Sequence, residues 1–305
     1  MDNDYQIIGL DQGWQNIKTE STVFTSAVEE RSNPTFFDDI LEYEGKYYCI
    51  GGKRLEIKNN KVEDDDYYLL MLAALAKELE ARGGITEANV YLAVGLPLTR
   101  FGEERIDYVA YLSRNKELHF KFNKKIYHIN LLKVFVYPQC YSAVFTRIPE
   151  FKRKTVVVDV GSWTVDILPV ISGKPYDAGC NSLPHVVITC LRQINKECYN
   201  GFNYELDEDD IDFYIKNHEL DTVPVEVLEM LDRMLQEYAD DVIRKLKEHS
   251  INVETTSIIF VGGGANIIKA YSTMVRQNME FLLDVKANAK GYAFMARAAV
   301  RMERR

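Results

Sequence analysis

The sequence predicts an α/β fold made of two similar halves. Predicted strands alternate with helical segments along the 305 residues, which is typical of the α/β class. A strand that ends in the pattern Asp-x-Gly opens each half, first at Asp11 and Gly13 and again at Asp159 and Gly161. The repetition of this strand and turn indicates an internal duplication of one α/β unit.

The first half begins with a predicted hairpin of strands at residues 5–11 and 16–27, because β-branched and aromatic residues stand on both sides of a Gln-Gly-Trp turn. A second hairpin is predicted at residues 43–52. Residues 64–80 predict a helix, which has an acidic first turn and is followed by two glycines. The remaining predicted elements of this half are a strand at 90–94, a helix at 103–112, a hairpin at 118–129, a strand at 134–137 and a helix from Tyr141.

The second half restarts at Lys154 with a strand, a tight turn and a second strand. The acidic residues 207–212 predict either a helix start or a solvated loop. Apolar positions at helical spacing predict one long amphipathic helix over residues 225–249. A buried strand at 257–261 then runs into three glycines and a further helix.

Composition limits the classes of function. The net charge is −9 and the pI is near 5.2, so the chain lacks the positive field that drives direct binding to nucleic acid, and a DNA partner would need an adaptor. No apolar run reaches the roughly 18 residues of a membrane helix, and Met1-Asp2-Asn3-Asp4 does not start a secretion signal, so we expect a cytoplasmic protein. The cysteines form no C-x-x-C pair, which favours reduced thiols over zinc ligands. They are Cys49, Cys140, Cys180, Cys190 and Cys198.

The two Asp-x-Gly turns predict a site for phosphates. Each strand end carries a carboxylate, and the glycine allows a tight turn that directs backbone N–H groups outward. If the two turns face each other across a cleft, Asp11 and Asp159 approach one point, where a hard cation takes oxygen ligands. Magnesium is the expected ion, since it would offset the repulsion of two carboxylates and a polyphosphate.

Two residues on the returning strands are further candidates. Lys18 follows Asp11 by seven residues, and strand alternation either returns its ammonium group to the phosphates or leaves it as a surface lysine. Asp166 follows Asp159 at the matching position and either joins the metal site or is an ordinary strand residue. The predicted phosphate contacts are Gly13, Trp14, Gln15, Asn16, Lys18, Gly161, Ser162 and Trp163.

The third candidate element is the turn Gly262-Gly263-Gly264, which precedes a helix that contains Asn266. Successive glycines allow a ring or a ribose to approach the backbone closely. A dinucleotide-binding fingerprint is the rival interpretation. It fails because Ile267 stands where that pattern needs a glycine, and because only about forty residues remain for the paired βαβ halves.

With these three motifs the chain resembles the superfamily of actin, sugar kinases and heat-shock chaperone ATPases. Asp11-Gln-Gly-Trp-Gln-Asn-Ile-Lys18 is similar to its first phosphate motif, Asp159-Val-Gly-Ser-Trp-Thr-Val-Asp166 to its second, and Val261-Gly-Gly-Gly-Ala265 to its adenosine motif. Within the superfamily the resemblance is closest to ParM-like actin homologues of plasmid segregation. That resemblance rests on Gly9-Leu-Asp-x-Gly-x-x-Asn-Ile-Lys18, on Tyr137-Pro138-Gln139, and on Ala287-Asn-Ala-Lys-Gly-Tyr292. The chain departs from the pattern at Trp14, where relatives have a small hydroxyl residue.

The resemblance implies an actin-like fold, with two duplicated ribonuclease-H-like domains around a nucleotide cleft. The expected domains are residues 1–150, with a small insertion at about 28–65, and residues 151–290, and the helix 291–305 is expected to return to the first domain. Gln139 is expected to orient the attacking water, with Asp11 and Asp159 as catalytic partners and Asp11, Asp159 and Asp166 as metal ligands. The implied activity is hydrolysis of Mg-ATP to ADP, coupled to assembly of the protein with itself into filaments that segregate plasmid or other DNA through an adaptor.

Two alternatives remain open at this point. A small-molecule kinase of the same superfamily would need a second pocket with a catalytic aspartate, for which this chain is short. A structural scaffold would bind nucleotide without turning it over. Phosphate release measured over hours separates the scaffold from an ATPase.

Overall fold

The computed structural model describes residues 5–33, 39–56, 60–184, 187–221 and 223–304. It divides into two compact units: unit 1 comprises Met1–Arg147 and Val285–Arg305, and unit 2 comprises Ile148–Asp284. The N-terminal segment Met1-Asp2-Asn3-Asp4 lies outside the described residues, as do residues 34–38 and 57–59 of the predicted insertion. Within the described ranges, no helix is both long enough and apolar enough to cross a membrane.

The described residues of unit 1 form one sheet of nine strands in the order β3-β2-β1-β7-β9-β8-β5-β6-β4. The strands are β1 (Gln6–Gln12), β2 (Asn16–Thr19), β3 (Val23–Thr25), β4 (Val28–Arg31), β5 (Asp39–Tyr43), β6 (Lys46–Ile50), β7 (Glu87–Leu96), β8 (Glu117–Phe122) and β9 (Lys125–Pro138). The helices of this unit are α1 (Asp66–Ala81), α2 (Leu98–Leu112), α3 (Tyr141–Val144) and α8 (Ala287–Glu303). The strands of the predicted insertion, β4 to β6, extend this same sheet.

Helices cover both faces of the central strand β1. Ile8 and Leu10 point to one face and belong to the core that contains α1 and α2. Ile7 points to the other face and packs with Tyr292 and Ala296 of α8. This arrangement follows from strand alternation, because neighbouring residues of a strand point to opposite faces.

Helix α8 approaches the sheet closely because glycines stand at the contacts. A Cβ atom at Gly9 would collide with the carbonyl oxygen of Ala289, and one at Gly95 would collide with the Tyr292 hydroxyl. A Cβ atom at Gly291 would collide with the carbonyl oxygen of Ser142 in α3. The predicted C-terminal motif 287–292 is therefore the part of α8 that packs against the sheet and α3.

Unit 2 contains a second sheet in the order β12-β11-β10-β14-β15, with β13 paired to β11. Its strands are β10 (Thr155–Val160), β11 (Thr164–Ile171), β12 (Lys174–Pro175), β13 (Asn181–Pro184), β14 (Ser257–Val261) and β15 (Met279–Phe281). Its helices are α4 (Val187–Phe202), α5 (Glu208–Asn217), α6 (Val225–Glu248) and α7 (Ala265–Tyr271). The apolar residues of α6, such as Leu231 and Val242, lie in the core of this unit.

The structure confirms most predicted elements and corrects several. The acidic segment is a helix start, since Asp207 and Asp210 form a reciprocal capping box at the N-terminus of α5. The second strand of the hairpin predicted at 118–129 and the strand predicted at 134–137 are parts of one long strand, β9. Helix α2 begins at Leu98, directly after Pro97, and α8 begins at Ala287. The helix predicted from Tyr141 has a single α turn and continues as a 3₁₀ helix, Phe145–Glu150, which contains Pro149.

The two units repeat one strand order. In unit 1 the strands β3-β2-β1-β7-β9 are adjacent in that order, and β12-β11-β10-β14-β15 occupy the same places in unit 2. In both units the first two pairs of this order are antiparallel and the last two are parallel. The register is also the same, because Asp11 pairs with Lys18 and Asp159 pairs with Asp166. The predicted duplication and α/β class are therefore confirmed.

Candidate functional site

The first Asp-x-Gly turn joins β1 to β2. Asp11 is buried at the strand end, with 3% of its surface exposed. The N–H of Gly13 donates to the carbonyl oxygen of Asn16 at 3.1 Å, and this hydrogen bond closes the turn. Lys18 stands opposite Asp11 on β2, and its Nζ lies 3.7 Å from a carboxylate oxygen of Asp11. The lysine therefore points back toward the strand end.

Gln139 meets the same carboxylate from the end of β9. Its Nε2 donates to Oδ1 of Asp11 at 2.9 Å, and its backbone N–H donates to the carbonyl oxygen of Leu96. The next residue, Cys140, has φ of 67° and ψ of −59°, and the Tyr141 N–H bonds the Gln139 carbonyl oxygen at 2.6 Å. This is a γ-turn of the strained kind with positive φ.

Helix α8 supports this strained turn. The side chain of Asn288 accepts a hydrogen bond from the Cys140 N–H at 3.1 Å, and Asn288 is buried. Because Cys140 directly follows Gln139, the contact fixes the chain at the base of the glutamine. Asn288 is thus one route by which α8 influences the position of the candidate water-orienting residue.

The remaining predicted residues of the first turn contribute mainly backbone groups. The ring of Trp14 packs edge-on against Tyr67, with 5.8 Å between the ring centroids. Gln15 accepts a hydrogen bond from the Ser26 N–H through its carbonyl oxygen, and Asn16 pairs with Thr25 in the sheet. The indole of Trp14 therefore packs within unit 1. The group of Trp14 that we assign to a ligand is its backbone N–H.

Sequence reasoning missed three residues that hold this turn. The Nζ of Lys61 donates to the carbonyl oxygen of Gln12. The hydroxyl of Ser26 donates to the carbonyl oxygen of Gly13 at 2.6 Å. The amide side chain of Gln12 is itself fully buried, and it bonds the carbonyl oxygen of Tyr67 and the hydroxyl of Tyr108. Lys61 stands in a stretch of polar and acidic residues that is typical of a solvated loop, so the sequence carried no signal for its burial.

Lys61 is a buried cation next to the candidate phosphate turn. Only 6% of its surface is exposed, and its Nζ lies 5.8 Å from the ring centroid of Trp14 and 5.5 Å from that of Tyr67. Burial lowers the pKa of Lys61 to about 8, and the nearby charge of Asp11 partly opposes this shift. Aromatic faces and a backbone carbonyl compensate in part for the lost hydration of the ammonium group.

The second Asp-x-Gly turn joins β10 to β11 with the same geometry. The N–H of Gly161 donates to the carbonyl oxygen of Thr164 at 2.9 Å, as the N–H of Gly13 does in unit 1. Asp159 and Asp166 face each other across the two strands, and both are buried. Burial raises the pKa of Asp166 to about 6, and the charge of Asp159 acts in the same direction.

Backbone groups hold this second turn. The Ser162 carbonyl oxygen accepts the N–H of Ile188, at the start of α4, at 3.1 Å. The carbonyl oxygen of Val160 accepts the N–H of Gly264 at 2.8 Å, so the three-glycine turn is attached to the phosphate turn of its own unit. Ser162 and Trp163 are half-buried.

The three glycines have different surroundings. Gly262 has φ of 85°, and a Cβ atom there would collide with the carboxylate of Asp159. A Cβ atom at Gly264 would collide with Val160. Gly263 is exposed and no atom lies within 4 Å of its Cβ position, so it alone adjoins open space. Asn266 is half-buried on α7.

The residues present fit a magnesium ion by their chemistry. Asp159 and Asp166 are neighbouring buried carboxylates, which supply the oxygen ligands that Mg²⁺ takes and repel each other without a cation. Over the part of the chain that the structure describes, no group of three or more His, Cys, Asp or Glu side chains has a ready-made metal geometry. Water and phosphate oxygens would therefore complete such a coordination shell, as is usual for Mg²⁺.

Comparison with known proteins adds family information. The family model "Actin like proteins N terminal domain" matches residues 9–141, and "Archaeal actin homologue MreB-like, C-terminal" matches residues 157–271. No protein with a curated description matches the sequence.

Solved structures share the fold over nearly the whole chain. The crystal structure of Ta0583, an archaeal actin homolog, has a TM-score of 0.78 and 20% identity over 96% of this chain and 99% of that chain. The complex of Ta0583 with ADP has a TM-score of 0.76 and 18% identity over the same shares of both chains. A 15-stranded ParM filament from Clostridium botulinum has a TM-score of 0.77 and 16% identity over 97% of this chain and 100% of that chain. Because the two family models match successive parts of the chain, the chain belongs to the actin-like proteins, and the solved structures show that it has the fold of the archaeal actin homolog and of the ParM filament protein.

Proposed function

We propose that this protein binds Mg-ATP, hydrolyses it to ADP, and uses the nucleotide state to control its assembly into filaments. The observation that carries the proposal is the repeated Asp-x-Gly turn, which has the same strand register in both units. A duplicated turn with a buried carboxylate at each strand end is an arrangement suited to a polyphosphate and its cation.

Each group of the site has a proposed task. The backbone N–H groups of residues 14–16 and 162–163 bind phosphate oxygens, while those of Gly13 and Gly161 close their turns. Lys18 adds a positive charge 3.7 Å from Asp11. Asp11, Asp159 and Asp166 hold the hydrated magnesium ion. Bound Mg²⁺ would neutralise charge that develops on the phosphates during transfer.

Gln139 has the task of placing the attacking water. Its amide is held 2.9 Å from Asp11, so it is fixed beside the first phosphate turn. An amide is a poor base, and this agrees with phosphoryl transfer that is controlled by positioning and charge. The adenosine part of the site is assigned to the turn Gly262-Gly263-Gly264, whose middle glycine adjoins open space, and to Asn266 on the helix that follows it.

The relatives support the nucleotide and the polymer. Ta0583 was crystallised with ADP, and a ParM protein forms a 15-stranded filament. By analogy we propose that residues 1–150 and 151–290 form the two functional domains, each with one phosphate turn, and that the C-terminal helix returns to the first. The proposed task is segregation of plasmid or other DNA in the cytoplasm. A separate adaptor protein would bind the DNA, since the chain has a net charge of −9.

The first test is nucleotide binding and turnover by the purified chain. Calorimetry with Mg-ATP should give one nucleotide per chain, and omission of magnesium should weaken the binding strongly. Phosphate release should follow, with electron microscopy showing filaments with ATP and few without it. Parallel titrations with ATP and GTP establish the preferred base.

The alternatives predict different results. A small-molecule kinase would form ADP faster when sugars or short acids are added, and it would not form filaments. A scaffold would bind nucleotide and release no phosphate over hours. Absence of both light scattering and filaments with ATP, at concentrations well above micromolar, would contradict the polymer proposal.

A further inference from the structure

The first phosphate turn is held from behind by two side chains that come from other parts of unit 1. Lys61, between β6 and α1, donates to the carbonyl oxygen of Gln12. Ser26, at the end of β3, is completely buried and donates its hydroxyl to the carbonyl oxygen of Gly13 at 2.6 Å. Two successive carbonyl groups of the turn are therefore fixed by side chains.

These contacts determine where the amide groups of the turn point. A trans peptide group is planar, and its C=O and N–H point in opposite directions. The carbonyl of Gly13 points to Ser26, so the N–H of Trp14, which belongs to the same peptide group, points away from Ser26. Likewise the carbonyl of Gln12 points to Lys61, while the N–H of Gly13 points to Asn16.

The side chain of residue 14 supplies no hydroxyl group to the turn. A small hydroxyl side chain, which the related motif has at this position, is replaced here by Trp14. Its indole packs against Tyr67, and the ammonium group of Lys61 lies near both rings. The side chain of Trp14 is thus part of the packing of unit 1, and Lys61 and Ser26 supply the side-chain hydrogen bonds to the carbonyls of Gln12 and Gly13.

We propose that Lys61 and Ser26 are positioning residues that orient the first turn so that the N–H of Trp14 is presented to the nucleotide phosphates. This inference rests on the proposed nucleotide binding and adds two residues to it. Neither side chain contacts the phosphates. They act through the backbone carbonyls of Gln12 and Gly13.

The test compares two supporting residues with two matched controls in calorimetric titrations of Mg-ADP and in thermal unfolding without nucleotide. The test variants are Ser26→Ala and Lys61→Met. Lys77→Met is the control for the lysine, because Lys77 also lies near two rings, 5.3 Å from each centroid, but its ammonium group pairs with Asp39 and not with a carbonyl of the turn. Ser272→Ala is the control for the serine, because its hydroxyl bonds Asp240 in unit 2 at 2.7 Å.

We expect Ser26→Ala to raise the Kd for Mg-ADP about tenfold and Lys61→Met to raise it about tenfold to a hundredfold, as expected for lost neutral and charged hydrogen bonds. The controls should lower the melting temperature while leaving the Kd within about twofold of the parent value. If Lys61→Met does not fold, the pair Ser26→Ala and Ser272→Ala decides the question.

Two negative results have different meanings. If the parent binds Mg-ADP and both test variants bind it equally well, Lys61 and Ser26 have a structural role only, and the positioning proposal is overturned while nucleotide binding stands. If the parent binds neither Mg-ADP nor Mg-ATP, the proposed function fails and the positioning role fails with it.

Discussion

The two Asp-x-Gly turns have the same backbone but different supports. In unit 1, the side chains of Lys61 and Ser26 hold the carbonyls of the turn. In unit 2, the backbone N–H groups of Gly264 and Ile188 bond the carbonyls of Val160 and Ser162. Duplication therefore preserved the strand register, while the surroundings of each turn diverged. Side-chain support can be removed by a single substitution, whereas backbone support is disturbed mainly where a side chain replaces a glycine.

The residue opposite each aspartate also differs. Asp11 faces Lys18 and accepts a hydrogen bond from Gln139, so an opposite charge and an amide orient its carboxylate. Asp159 faces a second carboxylate, that of Asp166. Burial raises the pKa of Asp166 to about 6. Unit 1 thus places a cation and an amide beside its carboxylate, whereas unit 2 places a second carboxylate there, which accepts a hydrogen bond from the Thr164 hydroxyl at 3.3 Å. Under the proposed function, Gln139 of unit 1 places the water, and Asp159 and Asp166 of unit 2 are two of the three proposed magnesium ligands.

The largest expected effect tests whether both turns are needed. Asp11→Ala and Asp159→Ala should each weaken Mg-ATP binding about a hundredfold or more, because each removes an oxygen ligand or its support around the cation. Calorimetry with and without magnesium measures the loss, and thermal unfolding shows that the variants are folded. Parental affinity in both variants would remove the two turns from the site. Loss in only one variant would restrict the site to that unit.

The next effect concerns the chemical step alone. Gln139→Ala leaves the backbone phosphate contacts in place and removes one hydrogen bond to Asp11, so ATP should still bind and filaments should still form. Hydrolysis should slow by one to several powers of ten, because the water loses its positioning. Filaments of the variant should consequently persist after those of the parent have disassembled.

Phosphate release and light scattering, followed together, measure both parts of this prediction. Asn288→Ala provides a comparison, because it removes the acceptor for the Cys140 N–H and leaves the glutamine itself intact. A smaller loss of hydrolysis is expected for it. Hydrolysis at the parental rate in Gln139→Ala would show that another group orients the water.

The fold and the turns were predictable because their signals are local. Asp-x-Gly at a strand end predicted both turns, and the spacing of seven residues predicted that Asp166 occupies the position that Lys18 has in the first half. Lys61 was not predictable, because it belongs to a polar stretch far along the chain from Asp11, and only the tertiary structure buries it. Ser26 is likewise an ordinary strand-end serine in the sequence. Residues that contact a turn through its backbone leave no pattern in a single sequence.

A pH experiment sharpens the comparison, since the buried cation lies beneath the turn of unit 1. The pKa of Lys61 falls from an ordinary value of 10.5 to about 8 on folding. Between these two values the unfolded chain binds more protons than the folded chain, so this group makes the unfolding free energy rise with pH. Below about pH 8, Lys61 is charged in the folded state, which carries the full free-energy cost of burying that charge. The gain in unfolding free energy is complete above about pH 10.5, where Lys61 is neutral in both states.

The parent should therefore gain about 2 kcal/mol in unfolding free energy relative to Lys61→Met between about pH 7.5 and about pH 9.5. Urea unfolding of both proteins at the two pH values measures this difference. Other titrating groups, including the buried tyrosines, cancel because both proteins contain them. Parallel pH profiles would mean that Lys61 titrates near its ordinary pKa.

The smallest expected change in stability comes from the three-glycine turn of unit 2. Because the position is exposed and no atom lies within 4 Å of its Cβ site, Gly263→Val should melt near the parental temperature. Gly264→Val is the matched control, since its side chain would collide with Val160 and cost about 1–3 kcal/mol of stability. If the nucleotide approaches the backbone at the open position, Gly263→Val should weaken ATP binding in a fully folded protein. Unchanged ATP affinity in that variant would assign the three glycines to the support of the second phosphate turn alone, and the adenosine would have to bind elsewhere.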